Sequence, residues 1–261
     1  MSTSSRNVDI AIIGMSCRFP GAATAEEFWT NLCHGVESIT FFSDQELMSA
    51  GVAPSLVANP NYVKAAPMLR DVEMFDASFF GYSPKDAALM DPQHRLFLEV
   101  CWEAFENAGY DPAGYPGRVG VISTAGGIVS SYLLAKLHHA DLPGQTASTS
   151  HINNDKDFLS TRVSFKLNLT GPSFTIQSAC SSSLMAVHQA CQNLRFNDCD
   201  MMLAGGSVVR VPQALGYLAD KRSLYSLDGH CCPFDSAGQG TIFGRDVGAG
   251  LSTPLARPIS D

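Results

Sequence analysis

The run Ser178-Ala179-Cys180-Ser181-Ser182-Ser183-Leu184 places one thiol at the hinge between an expected strand and an expected helix. Ser173 to Gln177 carries β-branched and aromatic residues, whereas Leu184, Val187, Cys191 and Leu194 recur at helical spacing, so Cys180 falls at or just before the first helical turn. The first amides of a helix have no partner within it. Placed there, a thiol gains an environment that favours its thiolate, and the same N–H groups, that of Cys180 included, can receive the oxyanion of a thioester under attack. Cys180 is therefore the candidate nucleophile. A thiol of this kind normally needs a base or proton donor. His188 lies about two turns further on, roughly 12 Å along the axis, too far for a direct hydrogen bond.

The remaining reactive-looking residues read as structural. Ser181, Ser182 and Ser183 follow no GxSxG elbow and are expected to cap the helix. The adjacent pair in His230-Cys231-Cys232 has the wrong spacing for a metal site, so no metal is expected. Gly244, Gly248 and Gly250 form neither GxGxxG nor a P-loop, so no bound nucleotide cofactor is expected. The other seven cysteines, at 17, 33, 101, 191, 199, 231 and 232, make no CxxC pair and read as reduced structural thiols.

The elements that must position Cys180 can be read from the same pattern. Asp9 to Gly14 is a short apolar run ending in glycine, as in a buried strand. Thr24 and Glu27 suit a capping box ahead of a helix over Glu26 to Cys33. Phe41 to Asp76, with prolines at 54, 60 and 67, predicts loops and short helices covering a sheet. Ser83-Pro84 and Asp91-Pro92 each set an N-cap before proline, and the second helix should reach Ala108 and stop at Gly109. Further strands are expected at Arg118 to Ser123 and Asp200 to Gly205, with a helix over Asp155 to Leu167 ended by Gly171-Pro172. Pro254 removes a ladder donor, so the last strand should be short, irregular or at an edge. The β and α alternation implies an α/β domain with a mostly parallel sheet and reactive groups at the carboxyl ends of its strands.

Composition narrows the function classes. Across 261 residues, 45% are hydrophobic and the formal net charge is −8, enough apolar residues for a sizeable core and no basic patch for nucleic acid. No apolar run nears the ~18 residues that span a membrane. A soluble, cytoplasmic protein with neither nucleic-acid nor membrane partners is the expectation.

Several segments together resemble the ketosynthase (β-ketoacyl synthase) domain of modular type I polyketide synthases, a member of the thiolase-like superfamily. They are Asp9 to Gly21, Met90-Asp91-Pro92-Gln93-His94-Arg95-Leu96, Ser178 to Leu184, and Pro233-Phe234-Asp235 with Gly240-Thr241 and Phe243-Gly244, in the family's order. The resemblance implies a thiolase-like α/β fold, a mixed and mostly parallel sheet with helices on both faces, residues 1–261 forming its amino-terminal, nucleophile half. It implies scaffolding for Asp91 and Arg95, which their spacing alone would make a helix-surface pair. Two positions depart from it: arginine is usual where Cys232 stands, and glycine is common where Asp246 stands, which would alter the loop if that position needed a positive φ.

By the same resemblance, Cys180 accepts an acyl group from a phosphopantetheine thioester on an acyl carrier protein, for decarboxylative condensation with a malonyl-type extender. Two histidines and a lysine from the second half complete that family's site, and they would lie beyond Asp261. None of the histidines at 34, 94, 138, 139, 151, 188 and 230 stands in an HGTGT setting. Acylation without condensation is the expectation for this chain alone, together with a homodimer or a complementary ketosynthase half as partner. Two other readings stand beside it, a non-catalytic carrier-binding or assembly module and a thiol acyltransferase or hydrolase.

Overall fold

The computed structural model describes residues 8–127, 130, 132–133 and 152–255. His138, His139, His151 and the terminus at Asp261 lie outside them. Two compact units emerge, one formed by the described residues up to Arg18, Asp71–Val209 and those from Asp246 on, the other by Phe19–Arg70 and Arg210–Arg245.

The first unit is built on a five-stranded sheet. Its strands are β1 (Ile10–Arg18), β5 (Val119–Ala125), β6 (Ser173–Thr175), β7 (Met201–Val208) and β9 (Asp246–Pro254), in the order β1-β9-β7-β5-β6. β5 pairs parallel with both β6 and β7, while β9 runs antiparallel between β7 and β1. Four of the five strands therefore point one way, as the alternation predicts. β5 is buried along its whole length, which explains why Val119–Ile122 is apolar without alternation.

Two expectations for β9 do not hold. It is a full nine-residue strand inside the sheet. Pro254 is harmless because it is the last residue, opposite Ile10 and past the final pair with β7, Met202 with Ser252. The irregularity sits instead in β1, between Ile12 and Gly14. Asp246 opens β9 opposite Val208 and is absent from the positive-φ positions, so aspartate replaces glycine there without backbone strain. Burial raises its carboxyl above the ordinary value. The edge position of β1 also accounts for Ile12, which is 62% exposed rather than buried.

Helices cover both faces. Ile122 and Ser123 are consecutive on β5 and point to opposite sides. Ile122 packs with Ala186, Ala190 and Leu194 of α7 (Ser182–Arg195), whereas the Ser123 hydroxyl meets that of Ser160 on α6 (Leu159–Lys166) at 2.5 Å. α6 packs with α5 (Pro92–Ala108). Gly14 lets α5 close on β1, since a Cβ there would lie 2.8 Å from that of Ala108.

The two proline-led helix starts form as their sequences predict. Ser83 caps α4 (Pro84–Leu89) by accepting the Asp86 amide at 3.1 Å. At α5 the Asp91 carboxylate accepts the Gln93 amide at 2.8 Å, with Pro92 in the first turn. Gly109 ends α5 at φ 76, a left-handed position that favours glycine. The polar start of α5 is not on the surface, however: Asp91, Gln93, His94 and Arg95 are all buried. Gln93 Oε1 accepts the amides of Gly126 and Val209, at 3.2 and 3.4 Å, beyond the carboxyl ends of β5 and β7. The helix expected over 155–167 is divided. A 3₁₀ turn, Lys156–Phe158, precedes α6, and the chain turns at Asn168 with φ 53 rather than at Gly171. Gly171 serves close approach instead, a Cβ there falling 2.6 Å from the Val119 and Gly120 backbone.

The second unit contains α1 (Ala25–Cys33), α2 (Asp44–Ser49) and α3 (Pro54–Val57). It also holds two ribbons, β2 (Ile39–Phe41) with β4 (Ala65–Pro67) and β3 (Tyr62–Val63) with β8 (Tyr217–Leu218). The prolines of 41–76 thus interrupt a small body with its own core of Leu47, Val52, Val57 and Tyr62. Thr24 caps α1 by accepting the Glu27 amide at 3.1 Å, but the Glu27 carboxylate reaches back to the Ala23 amide instead of closing a box on Thr24.

Candidate active site at Cys180

The site is assembled at the carboxyl end of β5. Beyond β6, the Ile176 amide donates to the Ser123 carbonyl at 2.8 Å. The Gln177 side chain donates to the Ala125 carbonyl at 3.0 Å and accepts from the Thr124 hydroxyl at 3.4 Å. These bonds fix the chain immediately before the reactive run. Ser178 then leaves the extended region, at φ −140 and ψ 39, and Ala179 takes φ 54. Left-handed backbone costs an L-residue about 1–2 kcal/mol, and nothing in the residue type announces it. Cys180 sits in the middle of a 3₁₀ turn, Ala179–Ser181, that leads into α7.

The serines brace this turn rather than capping the helix. The Ser182 hydroxyl accepts the Ser178 amide at 2.8 Å and donates to the Ala179 carbonyl at 2.7 Å. The Ser181 hydroxyl donates to the Ser178 carbonyl at 2.9 Å. Neither supplies a side-chain cap to the amides of α7. Gly206 gives the helix room to start here: a Cβ on it would meet Thr124 Cγ2 at 2.5 Å and Ser183 Oγ at 3.4 Å.

The face of α7 that meets the sheet is small, with Ser182, Ala186 and Ala190 buried. Of the apolar residues at helical spacing, only Leu194 is fully buried, while Leu184 is 73% and Val187 43% exposed. Small residues bring the helix start close to β5 and β7, and the larger ones turn outward. Phe174 on β6 is also exposed.

Cys180 is exposed, and its thiol takes part in no hydrogen bond or ion pair among the described residues. His188 is likewise exposed on α7. No described residue accepts the Cys180 amide, so the turn offers a thiol and a free backbone donor on one residue. Such a pair can attack a thioester carbon and hold its oxygen.

The other candidates fall elsewhere. Cys231 and Cys232 are exposed in the second unit. The His230 ring pairs with Glu37 at 2.7 Å, the Cys231 amide donates to Glu37 at 3.2 Å, and Cys231 Sγ accepts from the Ile242 amide at 3.4 Å. These bonds fasten a loop. No three His, Cys, Asp or Glu side chains gather to hold a metal ion among the described residues, and no helix there is long and apolar enough to cross a membrane.

Sequence reading missed the buried charges behind the sheet. Arg162 donates through Nε to His94 Nδ1 at 3.1 Å, and through Nη1 to the Tyr82 hydroxyl at 3.0 Å. Arginine has only donors, so this ring nitrogen must be unprotonated. Burial, then the arginine charge, hold the His94 pKa down at about 3. Burial raises the Asp91 carboxyl, opposed by bonds from Ser130 and Gln93, and lowers Arg95.

A mixed, mostly parallel sheet with helices on both faces and an exposed cysteine between β6 and the following helix is the arrangement of a thiolase-like α/β domain. Residues 7–253 match the family described as beta-ketoacyl synthase, N-terminal domain, and the chain belongs to that family, in its polyketide-synthase ketosynthase form. It is 48% identical over 258 residues to a component of the phenolphthiocerol/phthiocerol polyketide synthase of Mycobacterium tuberculosis, covering 96% of this chain and 17% of that protein. It is 35% identical to polyketide synthase PksN of Bacillus subtilis, covering 97% of this chain and 5% of that protein. Among solved structures, ketosynthase twelve of the bacillaene polyketide synthase of Bacillus amyloliquefaciens superposes with a TM-score of 0.84 at 35% identity, over 94% of this chain and 43% of that one. The chain thus spans less than half of the ketosynthase it superposes on and a small fraction of the synthases.

Proposed function

We propose that this chain is the nucleophile-bearing part of a ketosynthase and that Cys180 accepts an acyl group from a phosphopantetheine thioester carried by an acyl carrier protein. The thiolate attacks the thioester carbon, the Cys180 amide holds the developing oxyanion, and collapse expels the phosphopantetheine thiolate, which takes up a proton. A new thioester on Cys180 replaces the old one. The observation carrying this reading is the exposed thiol at the start of α7 beside its own amide, which no described residue accepts.

Carbon–carbon bond formation asks for more. Decarboxylating a malonyl-type extender and stabilising its enolate call for donors that Cys180 and its turn do not supply. The family resemblance assigns that work to two histidines and a lysine of the fold's second half, so our proposal for residues 1–261 is confined to the transfer step. A homodimer, or a complementary ketosynthase half, would supply the partner. Incubating the protein with an acyl-phosphopantetheine donor and a malonyl carrier tests the division: acyl-enzyme should accumulate without β-ketoacyl product. Product formation dependent on Cys180 would overturn it, and carrier binding without acylation would favour the non-catalytic assembly reading.

A further inference from the structure

Far along the chain from Cys180, the second unit encloses a pocket lined by Arg210, Arg245, Tyr217, Tyr225 and Phe243. It has about 60 Å³ of free space, where one water needs about 10–15 Å³, so a group the size of several waters fits. Its chemistry is lopsided. Two guanidinium groups face it and no carboxylate lines it.

Arg245 is the unusual one, being only 6% exposed. Its Nη1 donates to the Gln213 carbonyl at 2.5 Å and lies 4.0 Å from Met68 Sδ. Nε and Nη2 find no acceptor among the described residues. The carbonyl it uses is held firmly, because the Gln213 side chain makes two bonds with the Leu69 backbone, each at 2.9 Å. Burial, and then the nearby charge of Arg210, bring the Arg245 pKa down to about 10. No carboxylate pairs with Arg245 among the described residues. A desolvated cation beside a second cation is unfavourable unless an anion joins them.

The fork of a guanidinium matches the oxygens of a phosphate, two bonds at a time. The rest of the wall is aromatic and ordered: Tyr225 stacks on Tyr217 with centroids 4.8 Å apart and meets Phe243 edge-on at 5.0 Å. The Tyr217 hydroxyl is already donated to the Ser226 carbonyl at 2.9 Å, which leaves its ring as a surface. From this combination we infer that the pocket is a phosphate-binding site, in which Arg245 and Arg210 clamp the phosphoryl group of a phosphate monoester and the aromatic wall takes a flat substituent. The site stands apart from the Cys180 reading and depends on none of its steps.

Thermal melting of the protein at constant ionic strength, titrated with inorganic phosphate and separately with phenyl phosphate, tests it. Both should raise the melting temperature saturably. Arg210 is exposed, so Arg210→Gln should fold normally, and it should weaken the apparent Kd about tenfold through loss of one charge-assisted contact. Arg245→Met, which keeps the apolar stem, should abolish saturation. Tighter binding of phenyl phosphate would mark an ester with a flat group as the ligand, and equal binding would mark free phosphate. The inference is overturned if neither titrant saturates, or if Arg210→Gln responds as the parent does.

Discussion

The amide of Ser178 donates to the hydroxyl of Ser182 at 2.8 Å, across the turn that presents Cys180. That hydroxyl in turn donates a hydrogen bond to the Ala179 carbonyl, so one buried side chain secures the backbone on both sides of the left-handed residue. Ser182→Ala would leave the exposed Ser178 amide to solvent and free the turn. A hydrogen bond of this kind contributes about 0.5–1.5 kcal/mol. Urea denaturation should show a loss in that range, with slower acylation of Cys180; unchanged values for both would show that the brace does not matter.

Ala179 provides a second test of the turn. Ala179→Gly relieves the positive φ but gives the unfolded chain more freedom, so stability should change by less than about 1 kcal/mol, with acylation retained. Ala179→Val adds β-branching at φ 54 and should destabilise by more than about 1 kcal/mol. If valine proves as well tolerated as glycine, the left-handed geometry is wrong.

Close packing within the sheet is checked at Gly205 on β7. A Cβ there would stand 2.8 Å from the Ala249 Cα of β9 and against the Gly248 carbonyl, contacts with backbone that no rotamer can relieve. Gly205→Ala should cost about 1–3 kcal/mol or more. Gly244→Ala, with nothing within 4 Å of its Cβ, should fall within about 0.5 kcal/mol of the parent. Equal effects in chemical denaturation would contradict the packing of β7 on β9.

His94 makes stability depend on pH. Its pKa falls from 6.5 to about 3 on folding, so between those values the unfolded chain binds a proton that the folded chain does not. Stability must therefore drop as pH falls through that window, by about 2 kcal/mol between roughly pH 6.5 and pH 5. His94→Gln keeps an acceptor for Arg162 and removes the titration. Its denaturation midpoint should show a flatter acid limb than the parent, whatever its absolute stability; parallel limbs would refute a neutral buried imidazole.

Much of this was legible in the residues, and the failures have physical causes. Asp91-Pro92 and Gly109 bound α5 because capping and positive φ are local requirements. The apolar runs of β5 and β7 are legible because parallel strands are buried on both faces. Pro254 misled because its effect depends on whether a neighbour needs its missing N–H, which only register decides. Arg95 beside Asp91 passed for a surface pair because helical spacing records that two side chains are neighbours, not what covers them. At the site, the run Ser178-Ala179-Cys180-Ser181 marked Cys180 as the hinge residue. The left-handed Ala179 and the bond between Ser182 and Ser178 left no sequence signal, since alanine rarely adopts that φ and serine braces look like caps. Arg245 was silent for a similar reason, its isolation being a property of the unit around it.

The role of Cys180 as the acyl-accepting thiol is tested most directly by intact-mass spectrometry with peptide mapping, after incubation with an acyl-phosphopantetheine thioester, on the parent and on Cys180→Ala. A single added acyl group on the peptide containing Cys180, removable by hydroxylamine and missing from Cys180→Ala, is the predicted result. An unmodified Cys180, or an adduct that persists in Cys180→Ala, would contradict it.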